Sequence, residues 1–146
     1  MVTLENERFG TVQIPDEAVI RFEDGLYGFE DCHQFALLPV EAGNPRLQWL
    51  QSLDDPALAW LILDPSLIRP DYAPVVDAQD LQGIGLGGLE EGIVMVICVL
   101  AANLQDVTAN LQAPLVFNPA ARQGRQVILL DPSLPVRQPV LAASAG

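Results

Sequence analysis

The sequence predicts an all-β fold, a single small β-barrel-like domain of about nine to ten short, mostly antiparallel strands with one or two short helical turns. Turn residues recur about every 8–12 residues, and the apolar segments between them are short, as in barrels and sandwiches. Twelve prolines and eleven glycines in 146 residues also interrupt the chain too often for long helices.

The most apolar segment is residues 93–100, Ile-Val-Met-Val-Ile-Cys-Val-Leu. A half-exposed strand alternates apolar and polar residues, whereas this segment indicates either a strand buried on both faces or a short core helix. Its β-branched residues and the preceding Gly92 favour the strand. Even with two following alanines it is far shorter than the roughly 20 residues of a bilayer-spanning helix. We therefore expect it to be the central strand of the domain.

The remaining elements are read from short extended segments between turn residues. Asp77 is a good N-cap for one helical turn over residues 77–82. The predicted strands, with hairpins joining the first two and the fifth to the sixth, are residues 1–5, 11–14, 18–22, 35–40, 47–52, 58–63, 72–76, 107–111, 115–117 and 126–130.

The domain is assigned to residues 1–131, and residues 132–146 are assigned to a proline-containing C-terminal tail. Pro132, Pro135 and Pro139 are expected to prevent regular strand pairing in the tail. Residues 142–146 are small or apolar and are expected to fray.

The chain is strongly acidic, with 19 acids, seven arginines, no lysine and a net charge of −12. Thirteen of the acids and only two of the arginines lie between Glu23 and Glu91. Such a surface repels the nucleic-acid backbone, so direct DNA or RNA binding is not expected. Two interpretations remain open: a charge that only maintains solubility, and a docking face for a cationic partner.

Localisation and cofactor use follow from what the sequence lacks. It shows no charged-then-apolar leader and no membrane-spanning segment, so we expect a cytoplasmic protein with no membrane contact. Cys32 and Cys98 do not have metal-ligand spacing, and Cys98 is expected simply to pack in the core. No metal or other cofactor is therefore predicted.

Three motifs contain residue types that could support chemistry. Residues 83–88 read Gly-Ile-Gly-Leu-Gly-Gly, but a dinucleotide site needs a helix after this pattern, and Leu-Glu-Glu and a strand follow instead. His33 is the sole histidine, and its neighbour Cys32 points to the other face of a strand, so a Cys–His pair is not expected. Asp54 and Asp55 are interpreted as residues of an exposed turn that contributes little to folding. We therefore predict a binding protein without catalytic residues.

Residues 23–30 form a turn with two glycines, Gly25 and Gly28. Two interpretations are possible. In the favoured one the turn directs Leu26 and Phe29 into the core, since turn glycines usually serve backbone geometry. In the other, the turn is a binding loop.

Several motifs follow one another in a specific order over nearly the whole chain. They are Phe9-Gly10, residues 22–30 (Phe-Glu-Asp-Gly-Leu-Tyr-Gly-Phe-Glu), residues 50–52 and 54–56, Ala59-Trp60, Asp64-Pro65, Tyr72, residues 108–115 (Thr-Ala-Asn-Leu-Gln-Ala-Pro-Leu) and residues 126–129. In this order and spacing the sequence resembles the FliW family of flagellar assembly factors. It departs from the family in two places: Tyr27 replaces the proline of the usual Gly-Leu-Pro-Gly-Phe turn, and the tail lacks the usual tyrosine before Arg137.

The resemblance implies a small, non-catalytic barrel that binds the translational regulator CsrA and blocks its action on flagellin message. It also implies binding of flagellin, so that flagellin made in the cell reports on its own secretion; we expect a monomer when the protein is free. The alternative is an enzyme or small-ligand binder on a similar barrel. The residues expected to contact partners are Phe29, Glu30, Asp54, Asp55, Asp64, Asp71, Tyr72 and Asn110.

Overall fold

A computed structural model describes residues 1–7 and 9–140 of the chain. These residues form eleven short strands, one α-helical turn, α1 (Ala78–Gln82), and four 3₁₀ turns. The all-β prediction is confirmed, with slightly more strands and helical turns than expected. The strands are β1 (Val2–Asn6), β2 (Gly10–Ile14), β3 (Ile20–Arg21), β4 (Gln34–Pro39), β5 (Leu47–Ser52), β6 (Ala59–Leu63), β7 (Ile93–Val99), β8 (Thr108–Ala109), β9 (Leu115–Asn118), β10 (Gln123–Gln126) and β11 (Gln138–Pro139).

Seven of these strands close into a barrel. Their order is β7-β6-β5-β4-β3-β10-β9, and β9 pairs again with β7. Every neighbouring pair is antiparallel except β3 and β10, which are parallel. Alternate residues of these strands form the main core, in which Phe22 contacts Phe35 and Phe117 edge-on at ring distances of 5.0 and 5.6 Å.

The other strands lie outside the barrel. β8 pairs with β7, and β11 pairs with β8, so the sheet extends beyond the ring at this point. The predicted hairpin of β1 and β2 is confirmed as a separate two-stranded sheet. It buries Leu4 and Ile14 against Ala36 on β4.

β7 is the strand around which the sheet is organised, as predicted. Met95 faces the main core, while Val96 and Cys98 face a second apolar cluster on the other side of the sheet. Burial raises the pKa of the Cys98 thiol to about 11, which agrees with a packing role. The strand is less buried at its ends than predicted, since Ile93 is 51% and Val99 58% exposed.

Four strand predictions differ from the structure in existence, place or length. Residues 72–76 pair with no strand; Tyr72 and Val76 instead pack irregularly against buried clusters. The last barrel strand is β10 (Gln123–Gln126) and not residues 126–130. The predicted strands at residues 18–22 and 107–111 shorten to the two residues each of β3 and β8.

The tail is partly ordered against the domain. Gln138 and Pro139 pair with Ala109 and Thr108, so the expectation that prolines prevent pairing is wrong for β11. Proline is tolerated there because β11 is an edge strand. The boundary after residue 131 stays a prediction, and residues 142–146 lie outside the described residues.

The helical turn predicted at residues 77–82 is confirmed as α1. The Asp77 side chain caps it by accepting a hydrogen bond from the Gln79 N–H at 2.8 Å. Leu81 anchors the turn in a buried cluster with Val127 and Leu129. Within the described residues, no helical segment has the length and apolar character needed to cross a bilayer.

We expect Val96→Asp to abolish soluble expression, because Val96 is fully buried and an unpaired charge there is costly. The matched control is Val99→Asp on the same strand, which is 58% exposed and should give soluble protein with a near-parental thermal midpoint. A Val96→Asp protein with an unchanged midpoint would show that β7 is not central to the fold.

Candidate partner-binding surface

One end of the barrel is built by the loop over residues 22–33, which joins β3 to β4. Gly25 has φ +68°, and a Cβ added there would lie 2.8 Å from the Cα of Glu30, so the turn requires glycine. Leu26 is fully buried and its backbone pairs with that of Phe29. The predicted burial of Leu26 is therefore confirmed.

The same loop exposes two aromatic rings. Tyr27 is 60% exposed, and Phe29, which we expected in the core, is 39% exposed. Phe29 packs edge-on against Trp60 of β6, with ring centroids 5.0 Å apart, so the prediction of a core Phe29 is wrong. The glycines thus serve backbone geometry and also present an aromatic surface.

Asp54 ties a second loop to the first. Its Oδ2 accepts hydrogen bonds from the backbone N–H groups of His33 and Gln34, at 2.6 and 2.8 Å. Asp55 accepts a hydrogen bond from the Ala57 N–H at 3.0 Å within its own turn. The predicted exposure of this turn is confirmed. Asp54 also braces the start of β4, a role that the expectation of little contribution to folding did not include, and the size of that contribution stays a prediction.

Together these loops form what we call the acidic end of the barrel. Its aromatic centre is Tyr27 and Phe29. Within the described part of the chain, the only ion pair on this end joins Asp24 to Arg125 at 3.1 Å. The exposed carboxylates of the acidic end are Glu23, Asp24, Glu30, Asp31, Asp54 and Asp55.

Asp64, another predicted contact residue, lies at the opposite end of β6. Its Oδ2 accepts a hydrogen bond from Arg46 Nε at 3.2 Å, and its Oδ1 accepts one from the Ser66 N–H at 2.9 Å. Partial burial raises the pKa of Asp64, but the hydrogen bonds from Ser66 and Arg46 outweigh it, and the net pKa is lowered. Asp64 therefore caps a 3₁₀ turn at the far mouth of the barrel.

The last three predicted contact residues, Asp71, Tyr72 and Asn110, lie in a third region of the structure. The Tyr72 hydroxyl donates a hydrogen bond to the Leu111 carbonyl at 2.6 Å, and burial raises its pKa to about 12. Asn110 Oδ1 accepts a hydrogen bond from the Gln112 N–H at 3.0 Å, whereas Asp71 is exposed beside Arg69. Tyr72 and Asn110 thus stabilise the local backbone through these hydrogen bonds. Of the eight predicted residues, the structure brings together Phe29, Glu30, Asp54 and Asp55.

Sequence reasoning missed a groove beside the Tyr72 segment. A cavity of about 700 Å³ lies between residues 72–77 and residues 127–131, and we call it the edge groove. Val75 is 90%, Ile128 51% and Leu130 95% exposed there. The sequence signal that could have indicated this groove is Val-Ile-Leu-Leu at residues 127–130, in which all four residues are apolar. Only Val127 and Leu129 are buried, so the other two leave apolar surface exposed.

The glycine-rich motif at residues 83–88 and His33 have structural roles. Glu91 Oε2 accepts hydrogen bonds from the Gly87 and Gly88 N–H groups, at 2.7 and 3.1 Å, so a carboxylate occupies the amides that a phosphate would need. His33 is half-buried, with Nδ1 3.1 Å from the Phe22 carbonyl oxygen. Across the residues that the structure covers, no group of three His, Cys, Asp or Glu is placed to hold a metal.

Comparisons with known proteins show the family to which the sequence is similar. The model of the family described as "FliW protein" matches residues 3–140. Flagellar assembly factor FliW of Syntrophus aciditrophicus is 37% identical over 94% of this chain and 87% of its own. That of Treponema denticola is 35% identical over 95% of this chain and 93% of its own.

A solved structure gives the same result for the fold. A crystal structure of the flagellar assembly factor FliW superposes with a TM-score of 0.87 at 32% identity. The match covers 94% of this chain and 96% of that chain. Fold and sequence therefore agree over nearly the whole length.

Asp54→Ala should lower the free energy of unfolding by about 1–2 kcal/mol, because it leaves two backbone N–H groups without their carboxylate acceptor. Asp54→Asn keeps one acceptor oxygen and should lose less. The control is Asp31→Ala, which removes an exposed carboxylate that makes no hydrogen bond to the described residues. Urea unfolding measures all three, and equal stability of Asp54→Ala and Asp31→Ala would contradict the bracing role.

Tyr72 should ionise at about pH 12, because its pKa is raised by burial. Because the folded pKa lies above the unfolded value of about 10, the contribution of the neutral Tyr72 phenol to the free energy of unfolding is complete below pH 10. It should then be lost as the pH rises from about 10 to 12. Tyrosinate absorbance in a Tyr27→Phe variant measures the pKa, and Tyr27→Phe/Tyr72→Phe should lack this part of the alkaline loss. A midpoint near pH 10 would contradict burial of the phenol.

Proposed function

Because the chain belongs to the FliW family of flagellar assembly factors, we propose that it is a non-catalytic regulator that binds and antagonises CsrA. In this proposal it also binds flagellin, acting as its chaperone in the cytoplasm. Flagellin competes with CsrA, so secretion of flagellin frees the protein to block CsrA. Flagellin synthesis is thereby coupled to its export.

The observation that carries this proposal is the acidic end. A regulator that holds RNA phosphates must carry cationic patches, and the six carboxylates of the acidic end offer opposite charge. Tyr27 and Phe29 supply exposed aromatic surface at its centre, which is the residue type that anchors protein interfaces. Charge would guide the encounter, and the rings would hold the complex.

One observation bears on the alternative function, a small-ligand-binding or enzymatic barrel. A cavity of about 530 Å³ opens at the far mouth of the barrel, with Ile20, Leu37, Met95 and Phe117 among its lining. Its described lining residues include no His or Cys, and of its two carboxylates Asp64 is paired with Arg46 and Glu17 is exposed. The cavity therefore offers apolar surface without a nucleophile or a pair of acid–base groups, and we favour protein binding by a monomer.

The association rate with CsrA should fall clearly from low to high salt, because salt screens attraction over about 8–10 Å at physiological strength. The dissociation rate should change less, since apolar contacts are not screened. Flagellin binding should respond less to salt if it depends on an amphipathic helix that buries apolar surface. Surface-immobilised kinetics across a salt series, with both partners, measure these rates.

A pair of charge variants locates the effect. Glu30→Gln/Asp55→Asn neutralises two carboxylates of the acidic end and should slow CsrA association. Glu5→Gln/Glu7→Gln removes the same charge from the exposed β1–β2 hairpin and should not. Association that is flat in salt would reduce the acidic surface to a solubility role, and failure of both partners to bind at any salt would refute the proposed function.

A further inference from the structure

The segment after β10 continues along the residues that precede β9 but is not part of a regular strand. Gln126 pairs with Leu115, and the N–H groups of Val127 and Leu129 donate to the carbonyls of Pro114 and Gln112 at 3.0 and 2.7 Å. These hydrogen bonds continue the register of the β9–β10 pair. The ladder ends because Pro114 has no N–H and the Gln112 N–H bonds to Asn110 instead. Residues 126–130 are therefore held along one edge only.

The other edge of this segment is open. In an extended chain, successive residues direct their N–H and C=O groups to opposite edges. The backbone groups of Ile128 and Leu130 have no hydrogen-bond partner among the described residues. The parallel pairing of β10 with β3 stops at Gln123, and the Gln126 side chain then accepts a hydrogen bond from the Tyr27 N–H at 2.9 Å. No strand of the described chain follows β3 along this edge.

The side chains beside the open edge are apolar and exposed. Leu130 is 95%, Val75 90% and Ile128 51% exposed, and all three line the edge groove. Natural proteins usually protect such edges with charge, bulges or a covering segment. Here the exposed positions on the segment itself carry apolar residues.

The charge of the groove indicates what kind of chain would fit. Four aspartates line it, Asp71, Asp77, Asp80 and Asp131, against one basic residue of the described lining, Arg69. Arg69 lies 3.8 Å from Asp71, and Asp80 is 3.6 Å from Arg125. The remaining negative charge favours a segment with lysine or arginine beside its apolar residues.

We propose that the open edge of residues 126–130 accepts an extended, cationic segment of a partner protein as an added β-strand. Its backbone would pair with the N–H and C=O groups of Ile128 and Leu130. Its apolar side chains would cover Leu130 and Val75, and its basic side chains would lie near the aspartates. This mode of recognition takes affinity from the main chain and specificity from alternate side chains. The site is additional to the acidic end and does not depend on which protein supplies the segment.

The probe is a synthetic peptide of seven residues, alternating lysine and valine, with both ends blocked. Amide hydrogen exchange on the unmodified protein should show slower exchange at residues 128 and 130 when the peptide is present. A peptide with glutamate in place of lysine should bind more weakly. High salt should weaken the lysine peptide.

Leu130→Pro and Leu130→Ala form a matched pair. Both replace the exposed leucine side chain, and neither removes the N–H groups of Val127 and Leu129 that bond to the neighbouring segment. Only proline removes the outward N–H of residue 130. Loss of one such hydrogen bond should weaken peptide binding about three- to tenfold beyond the alanine variant. Thermal midpoints of both variants check folding; should proline lower the midpoint, the exchange pattern of the unmodified protein decides.

Several results would overturn the proposal. They are no binding at millimolar peptide, protection at the acidic end or the barrel mouth instead of residues 128 and 130, and equal binding by two folded Leu130 variants. Self-association of the free protein that Leu130→Pro abolishes would make a second copy of the chain the occupant. CsrA and flagellin binding are measured with whole proteins, so failure here is distinct from failure of the proposed function.

Discussion

The pairing of β7 with β9 is the constraint on which the barrel depends. Met95 lies opposite Leu115 and Ile93 opposite Phe117, and these contacts join the two ends of an otherwise open sheet. β7 also pairs with β6 and β8, so its side chains meet apolar clusters on both faces. Apolar residues are therefore required from Met95 to Cys98, because neither face of this middle part of the strand is available for polar residues.

Closure of the barrel determines where function can lie. The ring uses most backbone hydrogen-bonding groups of its seven strands, and its interior is filled by side chains such as Phe22 and Leu50. What remains are the loops at the two ends and the segments outside the ring. At the acidic end, the Asp54 carboxylate both braces β4 and adds to the surface charge on which the proposed binding depends.

The sequence predicted the features that depend on local chemistry. The apolar core strand, the hairpins with polar turns and the Asp77 cap follow from residues close together in the chain. The failures depend on distant partners. Residues 72–76 have strand-like residues but no neighbour with which to pair, and β10 is shifted because its partners, β9 and β3, lie on separate parts of the chain. Likewise, the exposure of Phe29 depends on Trp60, 31 positions away, which no local pattern could indicate.

The acidic charge and the exposed apolar residues have complementary physical effects. A net charge of −12 keeps molecules of this chain apart, which matters because an open strand edge with Ile128 and Leu130 exposed invites pairing between copies. Under the two proposals, the same charge would attract a cationic chain to the acidic end and to the edge groove. Selectivity would then arise from two effects: like copies are repelled before their edges meet, while an oppositely charged partner approaches quickly and is retained by apolar contacts. A neutral surface with the same edge would lose this discrimination, so the proposals give the acidity a role in recognition as well as in solubility.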